Sequence, residues 1–165
     1  MPWQSEPLSE DHELAGFCSG VNDLDYWLKE FALHAAKLRT ATTFVWVANL
    51  QVVAYYALCA HQVQREQLVV RRVARGQPDT IPAVLIARLA LHRSLQGQEL
   101  GGQLLVDALQ RVLIASANVA ARLVVVDALN DAVATKFYEA FGFMRTEPGG
   151  TRLVRAISAI AKDFE

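Results

Sequence analysis

Leu24, Trp27, Leu28 and Phe31 fall at i, i+3, i+4 and i+7, so an apolar stripe repeats at helical spacing early in the chain. The spacing predicts a helix from about Asp23 to about Leu38, capped by Asn22 or Ser19. The period then changes. Thr42-Thr43-Phe44-Val45-Trp46-Val47 is rich in β-branched and aromatic residues and reads as a strand. Val52 to Leu58 reads as a second, with Asn49-Leu50-Gln51 as the turn of a hairpin. Gln62 to Asp79 is polar and basic, with Gly76 and Pro78 near its end, and reads as loop-rich. The dense apolar run from Pro82 to Leu91 fits a buried strand. Leu104, Leu105, Ala108, Leu109 and Val112 return to helical spacing. Arg122 to Ala128 reads as another buried strand. Asn130 can cap a helix from about Asp131 to Ala140, which Gly142 can end in a left-handed cap. Phe143 and Arg152 to Ile157 look like closing strands. This order predicts an α/β fold of the α+β kind, a mixed sheet with helices on its faces.

At 165 residues the chain suits one domain over 1–165, large enough to bury a core without metal or disulfide. Hydrophobic residues at 53% against 20% charged exclude a disordered tail. The apolar runs are short, so no segment is expected to span a membrane. Met1 is followed by Pro2-Trp3-Gln4 and then acids, which predicts no secretion signal and a cytoplasmic protein. Cys18 and Cys59 are too few for a disulfide framework or a four-ligand zinc site, and read as half-buried thiols. His12, His34, His61 and His92 lack metal-ligand spacing, so no metal is expected. His61, at the end of the second hairpin strand, keeps a substrate-side role open.

The net charge of −1 hides an asymmetry. Residues 1–28 hold six acids and no Lys or Arg. Residues 29–155 hold fifteen Lys and Arg against nine acids, a local +6. An anionic partner is therefore compatible with the balance, because local potential steers binding. Lys37 and Arg39, with Arg71, Arg72 and Arg75, are the candidate phosphate contacts.

The chemistry is expected where the Pro82–Leu91 strand feeds Gln96-Gly97-Gln98-Glu99-Leu100-Gly101-Gly102 into a helix. Backbone N–H groups of such a turn can converge on an anion, and the helix N-terminus adds about half a positive charge. Glycines let a phosphate approach the backbone. An ordinary strand-to-helix turn would look the same. The spacing is neither a dinucleotide fingerprint nor a P-loop.

Arg88-Leu89-Ala90-Leu91 followed by Gln96-Gly97-Gln98-Glu99-Leu100-Gly101 resembles motif A of the GNAT acyl-CoA N-acetyltransferases. Asn130 through Phe143 resembles their motif B, Asn-x-x-Ala-x-x-Phe-Tyr-x-x-x-Gly-Phe. Phe17-Cys18-Ser19-Gly20, Leu24-Asp25-Tyr26-Trp27-Leu28, Thr42-Thr43-Phe44-Val45 and Ile81-Pro82-Ala83-Val84-Leu85 extend the likeness to the GNAT toxins of bacterial toxin–antitoxin pairs.

The resemblance implies a GNAT fold and transfer of acetyl from acetyl-CoA to the α-amine of an aminoacyl-tRNA. It implies that the backbone of Leu89, Ala90 and Leu91 bonds the pantetheine arm. Gln96, Gly97, Gln98, Glu99, Leu100, Gly101 and Gly102 would cradle the pyrophosphate, and Asn130 would lie beside the cofactor. Tyr138 falls at the family's catalytic hydroxyl; without the motif, a helix aromatic in the core is the simpler reading. The implied partners are charged tRNA, a small ribbon–helix–helix antitoxin and a second copy in a homodimer. Glu99 departs from the pattern, standing where the first motif glycine belongs. Its carboxylate would repel a pyrophosphate unless turned to solvent, with Gly97, Gly101 and Gly102 keeping the curve. Two alternatives stay open: acetylation of a protein N-terminus or small amine, and a catalytically silent acyl-CoA- or protein-binding module.

Overall fold

The structure, a computed structural model, describes residues 3–68, 71–128 and 132–165, with backbone only at Arg71 and Arg72. In chain order its elements are β1 (Glu6–Pro7), α1 (Asn22–Glu30), α2 (Ala32–Leu38), β2 (Thr42–Ala48), β3 (Gln51–Gln64), α3 (Arg71–Ala74) and β4 (Thr80–Leu91). Then come α4 (Leu100–Ser116), β5 (Leu123–Asp127), α5 (Ala132–Ala140), β6 (Met144–Arg145), β7 (Arg152–Ala156) and α6 (Ile157–Asp163). The sheet order is β1-β2-β3-β4-β5-β7-β6. The β4–β5 pair is parallel, while β1–β2, β2–β3, β5–β7 and β6–β7 are antiparallel. This is the mixed sheet that the period changes predict.

The chain divides into two compact units, one of Met1–Cys59 with Ile86–Gln110, the other of Ala60–Leu85 with Arg111–Glu165. β3, β4 and α4 each contribute residues to both.

In the first unit, Phe17, Leu28, Ala32, Val45, Val52, Tyr55 and Ala90 form the core, with Leu24 and Trp27 packed against it. The helix expected over 23–38 is two helices. Phe31, at φ −122° and ψ −25°, separates α1 from α2, and its ring is 45% exposed beside Tyr26. The next residue, Ala32, takes the core position instead. Neither expected cap holds. Val21 is the N-cap and makes no side-chain cap. Asn22 is already helical, and the Ser19 hydroxyl donates to buried Asp25 at 2.6 Å. Asp25 also accepts the Ser19 backbone N–H, so this carboxylate organises the approach to α1.

The hairpin turn is tighter than its composition suggests. Asn49 and Leu50 both have positive φ, 53° and 67°, the left-handed pair that lets a two-residue turn follow the strand twist. Asn tolerates that region, whereas Leu50 is strained there. Glu13 braces the turn, donating to Leu50 O at 2.8 Å and accepting from Val52 N at 3.0 Å. β3 runs six residues past the expected Leu58, so Gln62–Gln64 are strand and not loop.

In the second unit, Val63, Leu68, Val73, Ile81, Ala83, Leu123, Val125 and Val154 form the core. β4 pairs with β5 from Ala83↔Leu123 to Leu85↔Val125. β6 and β7 stand where closing strands are expected and make a short antiparallel pair. The second strand stops at Ala156, and Ile157 instead opens α6, a helix that the sequence pattern does not announce. The expected end of α5 is correct. Gly142 has φ 86°, and Phe143 N donates to Tyr138 O at 3.2 Å. A Cβ at Gly142 would meet Arg155 Nε at 2.9 Å, a contact that the flexible arginine can relieve by shifting, so it is the φ that calls for glycine.

Candidate active site

Tyr138 sits on α5 in the second unit, half-buried. Its ring lies edge-on to Phe137 and Phe143, with centroids 5.1 and 5.6 Å away. The helical repeat aims Tyr138 inward, and the Gly142 cap folds Phe143 back against it. Burial pushes the hydroxyl up to about 12. At neutral pH this phenol is a proton donor and not a base. Asn130, the other motif residue assigned beside the cofactor, lies outside the described residues.

In the first unit, β4 ends at Leu91 and a 3₁₀ turn covers Arg93–Leu95. Gln96 is not free to cradle a ligand with its side chain. Its amide donates to Leu91 O at 2.9 Å and to Ser19 O at 2.7 Å, tying the end of β4 to the approach to α1. The Gln98 amide likewise donates to Ser94 O. What remains for a ligand is backbone. Gly97 has φ 77°, and α4 begins at Leu100, so Gly101 and Gly102 lie in its first turn and not in the loop. The opening N–H groups of a helix have no intrahelical acceptor and carry the positive end of its dipole. The geometry suits an oxyanion at the start of a seventeen-residue helix.

Glu99 is exposed and has φ 61°. The turn therefore keeps the left-handed conformation that a glycine would supply, and a glutamate holds it under strain. Glu99→Gly is expected to raise stability by about 0.5–1 kcal/mol, the strain relieved less the added chain entropy. Chemical denaturation of the two proteins checks this. An unchanged or lower midpoint would mean that Glu99 is not strained.

His12, His61 and His92 have partners within the protein. His12 Nδ1 accepts from Ser9 N, and Nε2 lies 3.5 Å from Glu6. His92 Nδ1 accepts the Ser94 backbone N–H and starts the 3₁₀ turn. His61 belongs to a cluster in the second unit. Arg152 donates through Nε and Nη2 to Asp127, at 3.0 and 3.1 Å, and Nη1 lies 3.2 Å from His61 Nε2. Burial lowers the His61 pKa, and the Arg152 guanidinium lowers it further against a weaker pull from Asp127. A guanidinium only donates, so Nε2 must be the acceptor and Nδ1 must carry the proton. In this tautomer His61 has no lone pair left for an amine proton, which argues against its use as a general base. No local pattern marks the cluster, since its members are 25 and 91 positions apart.

The basic candidates separate. Lys37 pairs with Glu10 at 3.2 Å, and Arg39 closes α2 at φ 60°. Arg75 lines an open cleft of about 1050 Å³ with Gln64, Arg65, Glu66, Ala74, Gly76 and Asp79. Arg65 is held there by Asp79 at 2.6 Å. The Arg71 and Arg72 side chains lie outside the described residues. Among the described residues, no cluster of potential metal ligands occurs, and no helix is long and apolar enough to cross a membrane.

A mixed sheet with a bent strand-to-helix turn after its long fourth strand is the architecture of an acyl-CoA N-acyltransferase, and residues 79–155 match the acetyltransferase (GNAT) domain. The tRNA-acetylating toxin of Mycobacterium tuberculosis is 35% identical over 136 residues, 82% of this chain and 81% of that protein. The structure of AtaT complexed with acetyl-methionyl-tRNAfMet superposes with a TM-score of 0.89 at 28% identity, covering 98% of this chain and 99% of that one. A mutant AtaT bound to acetyl-CoA and the C-terminus of the antitoxin AtaR gives 0.82 at 27%, covering 99% of both. The chain belongs to the GNAT acetyltransferases, in the family of the tRNA-acetylating toxins.

Proposed function

We propose that this protein transfers the acetyl group of acetyl-CoA to the α-amine of an aminoacyl-tRNA and so blocks translation. The relation to the mycobacterial toxin carries the reading. An aminoacyl ester has a weakly basic amine that is largely neutral near pH 7, so attack on the thioester needs no dedicated base. The oxyanion of the tetrahedral intermediate takes a backbone N–H from Leu89–Leu91. Collapse expels CoA as a thiolate, Tyr138, neutral in its buried setting, protonates it, and the proton that the nitrogen sheds to water is balanced by one that water returns to the phenolate. The backbone of Leu89, Ala90 and Leu91 holds the pantetheine, the Gln96–Gly102 turn holds the pyrophosphate, and Asn130 lies beside the cofactor. Because Gln96 and Gln98 direct their amides to the protein, the backbone of that turn does the holding.

Lys37, Arg39, Arg71, Arg72 and Arg75 are the proposed RNA contacts. A single acetyltransferase domain over 1–165, a homodimer, a cytoplasmic location and a small ribbon–helix–helix antitoxin complete the reading. An acidic, disordered antitoxin tail would compete with RNA for the basic surface.

The test is to incubate the protein with labelled acetyl-CoA and total charged tRNA, digest the RNA, and analyse the aminoacyl-adenosines by mass spectrometry. Acetyl on the α-amine of one or a few amino acids is the expected result. Label confined to protein N-termini or free small amines, or acetyl-CoA binding without turnover, would overturn it.

A further inference from the structure

Arg88 precedes Leu89–Leu91 on β4, and no role follows for it from the fold or the reaction. Alternation puts its side chain on the face of Ala90, which is buried with Phe17, Leu28 and Tyr55. There the Arg88 guanidinium lies 4.1 Å from the centroid of the Trp27 ring. Trp27 in turn stacks on Tyr55, with centroids 6.2 Å apart and planes 14° apart. The arrangement places a cation over an indole face, where a guanidinium is favoured over an ammonium.

Four other arginines of the described residues end on a polar partner. Arg65 reaches Asp79, Arg152 reaches Asp127, Arg155 reaches Asp163 and Arg122 reaches Ser158. Among the described residues, Arg88 has the tryptophan face and no hydrogen bond or ion pair. The groups around it are occupied or neutral. Asp25 accepts from the Ser19 N–H and hydroxyl, and the Tyr55 hydroxyl donates to Leu24 O at 2.6 Å. Burial raises the Cys59 thiol, with Arg88 opposing, so Cys59 supplies no counter-charge. A half-buried guanidinium cannot shed its proton, and its five donors are best satisfied by an oxyanion with two oxygens in one plane. A charged tRNA carries such a group within one nucleotide of the reacting amine, the phosphodiester on the 5′ side of its terminal adenosine.

We propose that Arg88, seated over Trp27, binds the 3′-terminal phosphodiester of the acceptor RNA and so positions the α-amine along β4. This rests on the aminoacyl-tRNA reading above. It assigns recognition of the acceptor end to Arg88, in addition to the phosphate contacts proposed for Arg71, Arg72 and Arg75.

The experiment uses two small acceptors, 3′-aminoacylamido-adenosine with and without a 5′-phosphate, bearing an amino acid found by the labelling. The wild-type protein should prefer the phosphorylated acceptor in kcat/KM by about tenfold or more, the scale of a charge-assisted pair. Arg88→Gln should bring that ratio close to one with the KM for acetyl-CoA unchanged. Arg88→Lys keeps the charge but not the fork, so its ratio should fall between; it also serves if the glutamine variant fails to fold. A ratio kept in either folded variant overturns the proposal, and a lower melting temperature with the ratio kept reduces Arg88 to packing. A raised KM for acetyl-CoA with the ratio kept would assign the anion to CoA and also overturn it. If wild-type protein acetylates charged tRNA but shows no preference between the small acceptors, the proposal fails and the function stands. If it acetylates no aminoacyl acceptor, the function itself fails.

Discussion

Tyr138→Phe is expected to lower kcat by about 10²-fold or more while leaving acetyl-CoA affinity and the melting temperature close to wild type. The substitution removes one oxygen and keeps the ring between Phe137 and Phe143, so the packing that positions α5 survives. What is lost is the proton for the departing thiolate. Burial holds the hydroxyl near 12, so the group stays protonated across the working range. Its own ionisation should therefore not limit the rate until the pH approaches that value. Steady-state kinetics with isothermal titration of acetyl-CoA separate the two effects. Wild-type turnover in the variant would remove Tyr138 from the reaction and leave it as a core aromatic.

Asp107→Ala is expected to destabilise the protein by about 3 kcal/mol, a fall in melting temperature of about 10 °C for a chain of this size. Asp107 lies on α4 and accepts from Tyr56 Oη at 2.6 Å, from Trp46 Nε1 at 3.3 Å, and from the Ser5 hydroxyl. Tyr56 and Trp46 are fully buried, so truncation takes the carboxylate from Trp46 Nε1 and leaves the Tyr56 hydroxyl to Ser5 Oγ, 3.1 Å away, in a site closed to water. The same carboxylate holds the N-terminal segment, where Trp3 stacks on Trp46 at 5.6 Å. Asp107→Asn keeps an acceptor oxygen and should cost less. A thermal melt decides the matter, and equal stability of Asp107→Ala and wild type would show that the donors find other partners.

The fold was legible wherever burial imposes a period. β2, β4 and β5 are runs of apolar or β-branched residues, and each lies within a residue or two of its expected place. The end of α5 was legible because Gly142 carries a local signal, one residue in a conformation that side chains resist. Phe31 misled because its position in the helical stripe says nothing of a break one residue before Ala32. Glu99 was legible as a departure from a motif, but not in its consequence. Its positive φ shows that the turn is kept without the glycine, and its exposure puts the carboxylate in solvent. Gln96 and Gln98 looked like ligand groups by position alone, and only the folded chain shows their amides committed to backbone carbonyls.

The amino-acid sequence by itself determined the class of fold, the glycine-bearing turn before α4, and Tyr138 on a helix that Gly142 ends. These depend on spacing along one segment, where neighbours in sequence are neighbours in space. The tertiary structure decided the rest. It gave Asp107 its donors from β2, β3 and the N-terminal segment, fixed the His61 tautomer through Arg152, and laid Arg88 on Trp27 with its donors unfilled. The partners in these contacts lie roughly 50 to 100 positions apart in the chain, and no local period encodes them. Burial then sets their chemistry, because a polar group removed from water takes its protonation and geometry from whatever the fold places beside it.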